Sequence, residues 1–130
     1  MKFSVFAVIL ALLALLYCLA FLLVPVQFVE QYGSHLDANG VQIARLFGGS
    51  LVGFAVGNWM VRNQSPASIA ARIVLWATGI ANVVYLVVAI NGIRNNLINS
   101  MGWSSVALHA LIIVGCIYYL NTKKAAVAAA

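Results

Sequence analysis

Acidic side chains are nearly absent from this chain: two Asp or Glu stand among 130 residues, and all charged residues together make up 7%. An average soluble domain is about 25% charged and about 45–50% apolar, whereas 65% of this chain is hydrophobic. A chain this short has too much surface for its volume to hide that much apolar area inside itself. A soluble globular monomer is thereby excluded, and so is a disordered segment, which needs low hydrophobicity and high charge. Two prolines leave long stretches unbroken. Cys18 and Cys116 are the only cysteines, each alone inside an apolar run, which excludes a disulfide-stapled module and any CxxC spacing. Each reads as a small apolar residue in a helix seam.

Seven Lys and Arg against two acids give a formal charge of +5. The basic residues are scattered, without the stripe or stacking platform that nucleic acid requires, so no nucleic-acid partner is expected. The class that remains is an integral membrane protein, and a mean hydropathy of +1.05 agrees.

An α-helix needs about 20 apolar residues to cross roughly 30 Å of hydrocarbon. Four runs have that length: 3–24, stopped by Pro25; 41–61, between Asn39-Gly40 and Arg62; 68–90, after Ser65-Pro66; and 103–120, before Asn121-Thr122-Lys123-Lys124. None alternates with period 2, and in lipid a lone strand leaves its N–H groups unpaired, so helices are expected. The first run exceeds the usual ~7–15-residue core of a signal peptide, and no A-x-A site precedes Pro25. It reads as a retained helix. The fold class is therefore an all-α integral membrane protein, a four-transmembrane-helix bundle forming one domain over 1–124. Residues 125–130 form a low-complexity tail with no assigned role.

Between the first two spans, residues 24–33 read as a short interfacial helix, with Pro25 at its start and Gly33 at its end. Its Val, Phe and Tyr side chains suit the headgroup region. Trp59 and Trp103 fall at ordinary belt positions near the interfaces. Lys2, Arg62, Arg72, Lys123 and Lys124 fall on one side of four crossings, and Arg94 on the other with Glu30, His35 and Asp37. By the excess of Lys and Arg in cytoplasmic loops, both termini are expected in the cytoplasm.

In lipid, close backbone approach and polar contacts hold helices together. The first span carries Ser4, Ala7, Ala11, Ala14 and Cys18 at heptad-like spacing, which predicts a tight helix pair. The second carries Gly49, Gly53 and Gly57, a doubled small-xxx-small run (a glycine zipper) with Gly48 beside it. It says that two helices touch, within one subunit or between two.

Polar side chains at membrane depth invite a functional reading. Arg45 lies one to two turns into the second span; either it snorkels outward to phosphate or to Glu30 and Asp37, or it faces inward and holds an anion or headgroup. Thr78, Asn82 and Tyr85 fall at i, i+4 and i+7 on the third span, as interhelical glue or as the lining of a narrow polar cavity. His109 lies on the fourth, with Ser105 one turn before it and Cys116 two turns after. A nucleophile arrangement would also need an orienting acid and an oxyanion site, and none is visible. Haem between helices usually takes two axial side chains, and His35 is the only other histidine. No phosphate loop, zinc signature or nucleotide motif is present, so no cofactor and no metal are expected.

Pro25, Tyr32-Gly33 and Ala44-Arg45-Leu46-Phe47-Gly48, entering the glycine run, resemble the corresponding stretch of small four-helix bacterial membrane proteins of the DoxX-like and related kind. The similarity covers Pro25 to Trp59, about a quarter of the chain. It implies a four-helix bundle in a bacterial inner membrane and carries no catalytic residues. The absence of a carboxylate within the spans separates the chain from proton-coupled small multidrug carriers.

Two functions follow from these residues. The first is a structural or accessory subunit that packs through its small-residue seams against copies of itself or a larger membrane complex. The alternative is an oligomeric binding or permeation bundle for an anion, a lipid or a small apolar molecule, with Arg45, Asn82, Tyr85 and His109 converging on one cavity. No enzymatic activity is expected; a membrane enzyme would have His109 as its sole candidate base.

Overall fold

The computed structural model describes the backbone of residues 1–128 and the side chains of residues 1–122. The tail at 125–130 lies outside the described side chains, and its last two residues lie outside the described backbone as well. The chain forms α1 (Phe3–Leu23), α2 (Pro25–Glu30), α3 (Ala38–Val61), α4 (Ile69–Arg94) and α5 (Gly102–Ala128). No strand occurs among the described residues. Four of the helices are long and apolar enough to cross a membrane, with the short α2 after the first.

Local chemistry sets the boundaries. Pro25 lacks an N–H and cannot continue α1, yet its fixed φ suits the first position of α2. The second span starts at Ala38 rather than at 41, because Asp37 caps it: its Oδ1 accepts the Gly40 N–H at 2.7 Å. Asn39-Gly40, expected to precede the span, thus belongs to the first turn of the helix. Ser68 caps α4 in the same way, accepting from the Ala71 N–H at 3.2 Å. At its far end α4 runs past 90 to Arg94 and stops where Asn96 turns left-handed (φ 56°). There the Leu97 N–H donates to Gly92 O at 2.9 Å and the Asn96 N–H to Ile93 O at 3.1 Å, the Schellman pairing with asparagine in glycine's usual place. The last helix continues beyond Leu120, since neither Gly nor Pro follows to end it.

The spans associate in two pairs, α1 with α3 and α4 with α5, and the pairs touch each other much less extensively. Ala7, Ala11 and Cys18 on α1 are buried, and Ala14 is half-buried. On α3 the buried face is Ala44, Gly48, Leu51, Ala55, Asn58 and Val61. A Cβ at Gly48 would lie 2.8 Å from Phe21 Cβ and 3.2 Å from Cys18 O, so α1 and α3 approach closely there. The zipper register is different: nothing lies within 4 Å of a Cβ at Gly49 or Gly53, and one at Gly57 would meet only Val74 of α4, at 3.6 Å. Each residue advances a helix by 100°, so Gly49 stands a quarter-turn away from the face that Gly48 buries.

Specific contacts join the chain at both ends of the bundle. Near the chain's N-terminus, Phe3, Phe6, Leu10, Val61, Leu75 and Tyr119 form an apolar cluster. Tyr119 meets Phe3 edge-on at 5.2 Å and Phe6 at 5.0 Å, and its hydroxyl donates to Met1 O at 2.7 Å. At the other end the loops after α2 and α4 are tied together. The Asn99 N–H donates to Tyr32 O at 2.7 Å, Asn99 Nδ2 to Gln31 O at 2.9 Å, and Ser34 Oγ to Leu97 O at 2.7 Å. Gly33 permits this approach with φ 78°; a Cβ there would lie 3.2 Å from Asn99 Nδ2.

Candidate functional site

Between the apolar cluster and the joined loops the bundle leaves a cavity of about 320 Å³, lined from all four spans and from α2. Most of its wall is hydrocarbon and aromatic ring. Tyr17 and Phe21 of α1, Phe28 of α2, Phe47 of α3 and Tyr85 of α4 form an arc that ends on His109 of α5. Successive centroids are 5.5 Å (Tyr17–Phe28), 4.9 Å (Phe28–Phe21), 5.0 Å (Phe21–Phe47), 5.7 Å (Phe47–Tyr85) and 5.4 Å (Tyr85–His109) apart. The pairs up to Tyr85 are edge-to-face, the arrangement the ring quadrupole favours. Phe28 and Tyr32 of the interfacial segment turn inward to line this wall, where the headgroup region was expected to take them.

One edge of the cavity is polar, and its members are wired across three helices. Asn58 Nδ2 donates to Phe54 O at 2.9 Å and to Thr78 Oγ1 at 3.3 Å. Asn82 Nδ2 donates to Thr78 O at 2.8 Å, and Asn82 Oδ1 lies 2.7 Å from His109 Nδ1. Such bonds between membrane helices contribute about 0.6 kcal/mol each on average. Each asparagine is oriented by a carbonyl one turn back on its own helix. A carbonyl can only accept, so the amide nitrogen must face it and the amide oxygen must face away. No buried side-chain nitrogen or oxygen lacks a partner among the described residues.

Of the residues singled out in sequence, Asn82, Tyr85 and His109 come together on this cavity, with Thr78 and Ser105 beside them. Arg45 does not: it is exposed on α3 and is not among the lining residues. Ala14 lines the cavity as well as belonging to the seam of α1. Cys116 is buried in the apolar cluster instead, apart from His109. The two acids stay in the loop, Glu30 at 3.8 Å from His35 and Asp37 at the cap of α3. Among the described residues no three His, Cys, Asp or Glu side chains gather as a metal site would require.

Sequence reasoning missed Asn58 and the aromatic arc. Asn58 sits next to Trp59 and four residues before Arg62, which makes it resemble an interface residue, although it is 2% exposed. Its spacing from Gly48, Leu51 and Ala55 along one helical face was the available signal. The phenylalanines carried none, because in an apolar span a ring that faces lipid and one that faces a cavity look alike. Chemically the site can hold an apolar molecule against rings and offer it hydrogen-bonding atoms along one edge. No protein-family model, no curated protein and no solved structure matches this chain.

Proposed function

We propose that this chain is a small membrane protein that binds an apolar molecule inside its four-helix bundle. The cavity carries the reading: about 320 Å³, at the lower end of ligand-pocket sizes and lined mainly by rings and aliphatic side chains, with a few convergent polar groups. The apolar cluster at one end and the tied loops at the other leave no continuous row of polar side chains along the bundle, which favours binding over permeation. The same arrangement favours entry from the bilayer, between the α1–α3 and α4–α5 pairs, which touch least. The role is non-catalytic, since neither acid stands near His109. The chain would sit in a bacterial inner membrane, as its likeness to DoxX-like proteins implies, with both termini in the cytoplasm by the distribution of Lys and Arg.

Native mass spectrometry of protein released from its membrane in mild detergent tests this. The wild type should carry a reproducible bound mass, and Ala14→Phe, which fills the cavity from α1, should lose it while remaining folded. Bare protein in both cases would remove the proposal.

A second reading, a structural or accessory subunit, is favoured by one observation: Gly49 and Gly53 present bare backbone on the outer face of α3. That face would pack against a second copy or a larger complex, and oligomeric state in the same spectra reports on it.

A further inference from the structure

The polar edge of the cavity has a direction. Asn82 Nδ2 is committed to Thr78 O, which leaves Asn82 Oδ1 facing His109 Nδ1 at 2.7 Å. An amide oxygen cannot donate, so the proton of this bond belongs to Nδ1. With no carboxylate in any span, an imidazolium there would have no counter-ion, and the neutral ring is the form the bilayer favours. A neutral ring protonated at Nδ1 has an unprotonated Nε2. That nitrogen makes no hydrogen bond among the described residues, and it is not sealed off, because no unpartnered side-chain nitrogen in a buried setting remains there. Asn58 is oriented in the same way: Nδ2 is used twice, on Phe54 O and Thr78 Oγ1, so Oδ1 faces away from that carbonyl. Both residues line the cavity.

We infer that the occupant of this cavity is an apolar alcohol or phenol, whose hydroxyl donates a hydrogen bond to His109 Nε2 and whose body lies against the aromatic arc. The inference rests on the binding role proposed above and adds the chemical class of the ligand. Size narrows it further. An apolar cavity of about 150 Å³ accommodates one benzene ring, so about 320 Å³ suits a body of roughly two rings.

Three probes of one shape separate the possibilities: 4-phenylphenol, its methyl ether and biphenyl. Each is equilibrated by dialysis between nanodiscs holding the full chain and empty nanodiscs of the same lipid, and the bound excess is measured. The phenol should bind about tenfold more tightly than either of the others, the effect of one hydrogen bond formed rather than left unmade. The preference should vanish in His109→Phe while biphenyl still binds, and it should survive in Tyr85→Phe, which removes the neighbouring hydroxyl. Equal binding of phenol and ether, both above biphenyl, would mean that the pocket donates, and would overturn the assignment. Equal binding of all three, or a preference that survives His109→Phe, would overturn it too and leave the binding role standing. If none exceeds the empty discs, the binding role fails with it. The wild-type comparison alone settles the direction of the bond, so a variant that fails to fold leaves no outcome open.

Discussion

At the scale of single residues, the neighbouring glycines of α3 have opposite roles. Gly48 is where two backbones meet, and Gly53 faces open space. Gly48→Ala would place a methyl 2.8 Å from Phe21 Cβ and 3.2 Å from the Cys18 carbonyl, neither the far end of a flexible chain. Overpacking of that kind typically costs about 1–3 kcal/mol. Gly53→Ala meets nothing and gains the helix preference of alanine, up to ~1 kcal/mol. Thermal unfolding in detergent should therefore fall for the first variant and stay level or rise for the second. A loss of stability in Gly53→Ala, or a change of oligomer, would instead identify that face as a contact between subunits. The doubled small-xxx-small run was visible in sequence, but its partner was not: spacing says that small residues share a stripe and leaves open what lies opposite. Here the intrachain contact uses a different face, the one that carries Ala44, Gly48, Leu51, Ala55 and Asn58.

At the scale of elements, the spans were legible because bilayer thickness fixes their length, whatever they pack against. Their ends were less so. Asp37 and Ser68 are ordinary capping residues, yet the second span was expected to start only after Asn39-Gly40, and the Asp37 cap draws that pair into the helix. Asn96 took the left-handed position that a reader of sequence assigns to glycine. The loops became important for a reason no local pattern carries, since Asn99 reaches across 68 positions to Gln31. Asn99→Ala removes that bond and the one from the Met101 N–H to Asn99 Oδ1 at 2.9 Å. Hydrogen exchange should then quicken at residues 31–34 and 99–102 and leave the interior of α1 and α3 unchanged. Uniformly faster exchange would mean that the loops support the whole bundle rather than tying one end of it.

For the whole molecule, four crossings put residues 31–37 on one side of the membrane and 62–67 on the other. His35 has a side chain 88% exposed, and Gln64 is exposed too. The native cysteines are silent in a labelling experiment, Cys18 being 2% and Cys116 1% exposed. In intact cells a membrane-impermeant maleimide should label His35→Cys directly and Gln64→Cys only after permeabilisation; the reverse pattern would invert the orientation. The polar half of the candidate site was legible here in part, because Asn82, Tyr85 and His109 are unusual at membrane depth. Arg45 was equally unusual and stands elsewhere, since a long side chain near a helix end can reach out of the bilayer as well as into the bundle. The cavity itself depends on how loosely the two helix pairs meet, and composition does not record that.

The cavity has one more consequence. A soluble protein draws an apolar ligand out of water, and most of the affinity comes from that transfer. If its occupant enters from the bilayer as proposed, the solvent it leaves is one of acyl chains, in which a hydrocarbon body is already at ease. Lipid tails compete for the same space at very high concentration, so every occupant arrives by exchange and the apolar contribution is smaller than it would be from water. Discrimination then falls to shape and to the hydrogen bonds at the rim. With no acid and a single histidine within its spans, selectivity would rest on a few polar atoms in a wall of hydrocarbon.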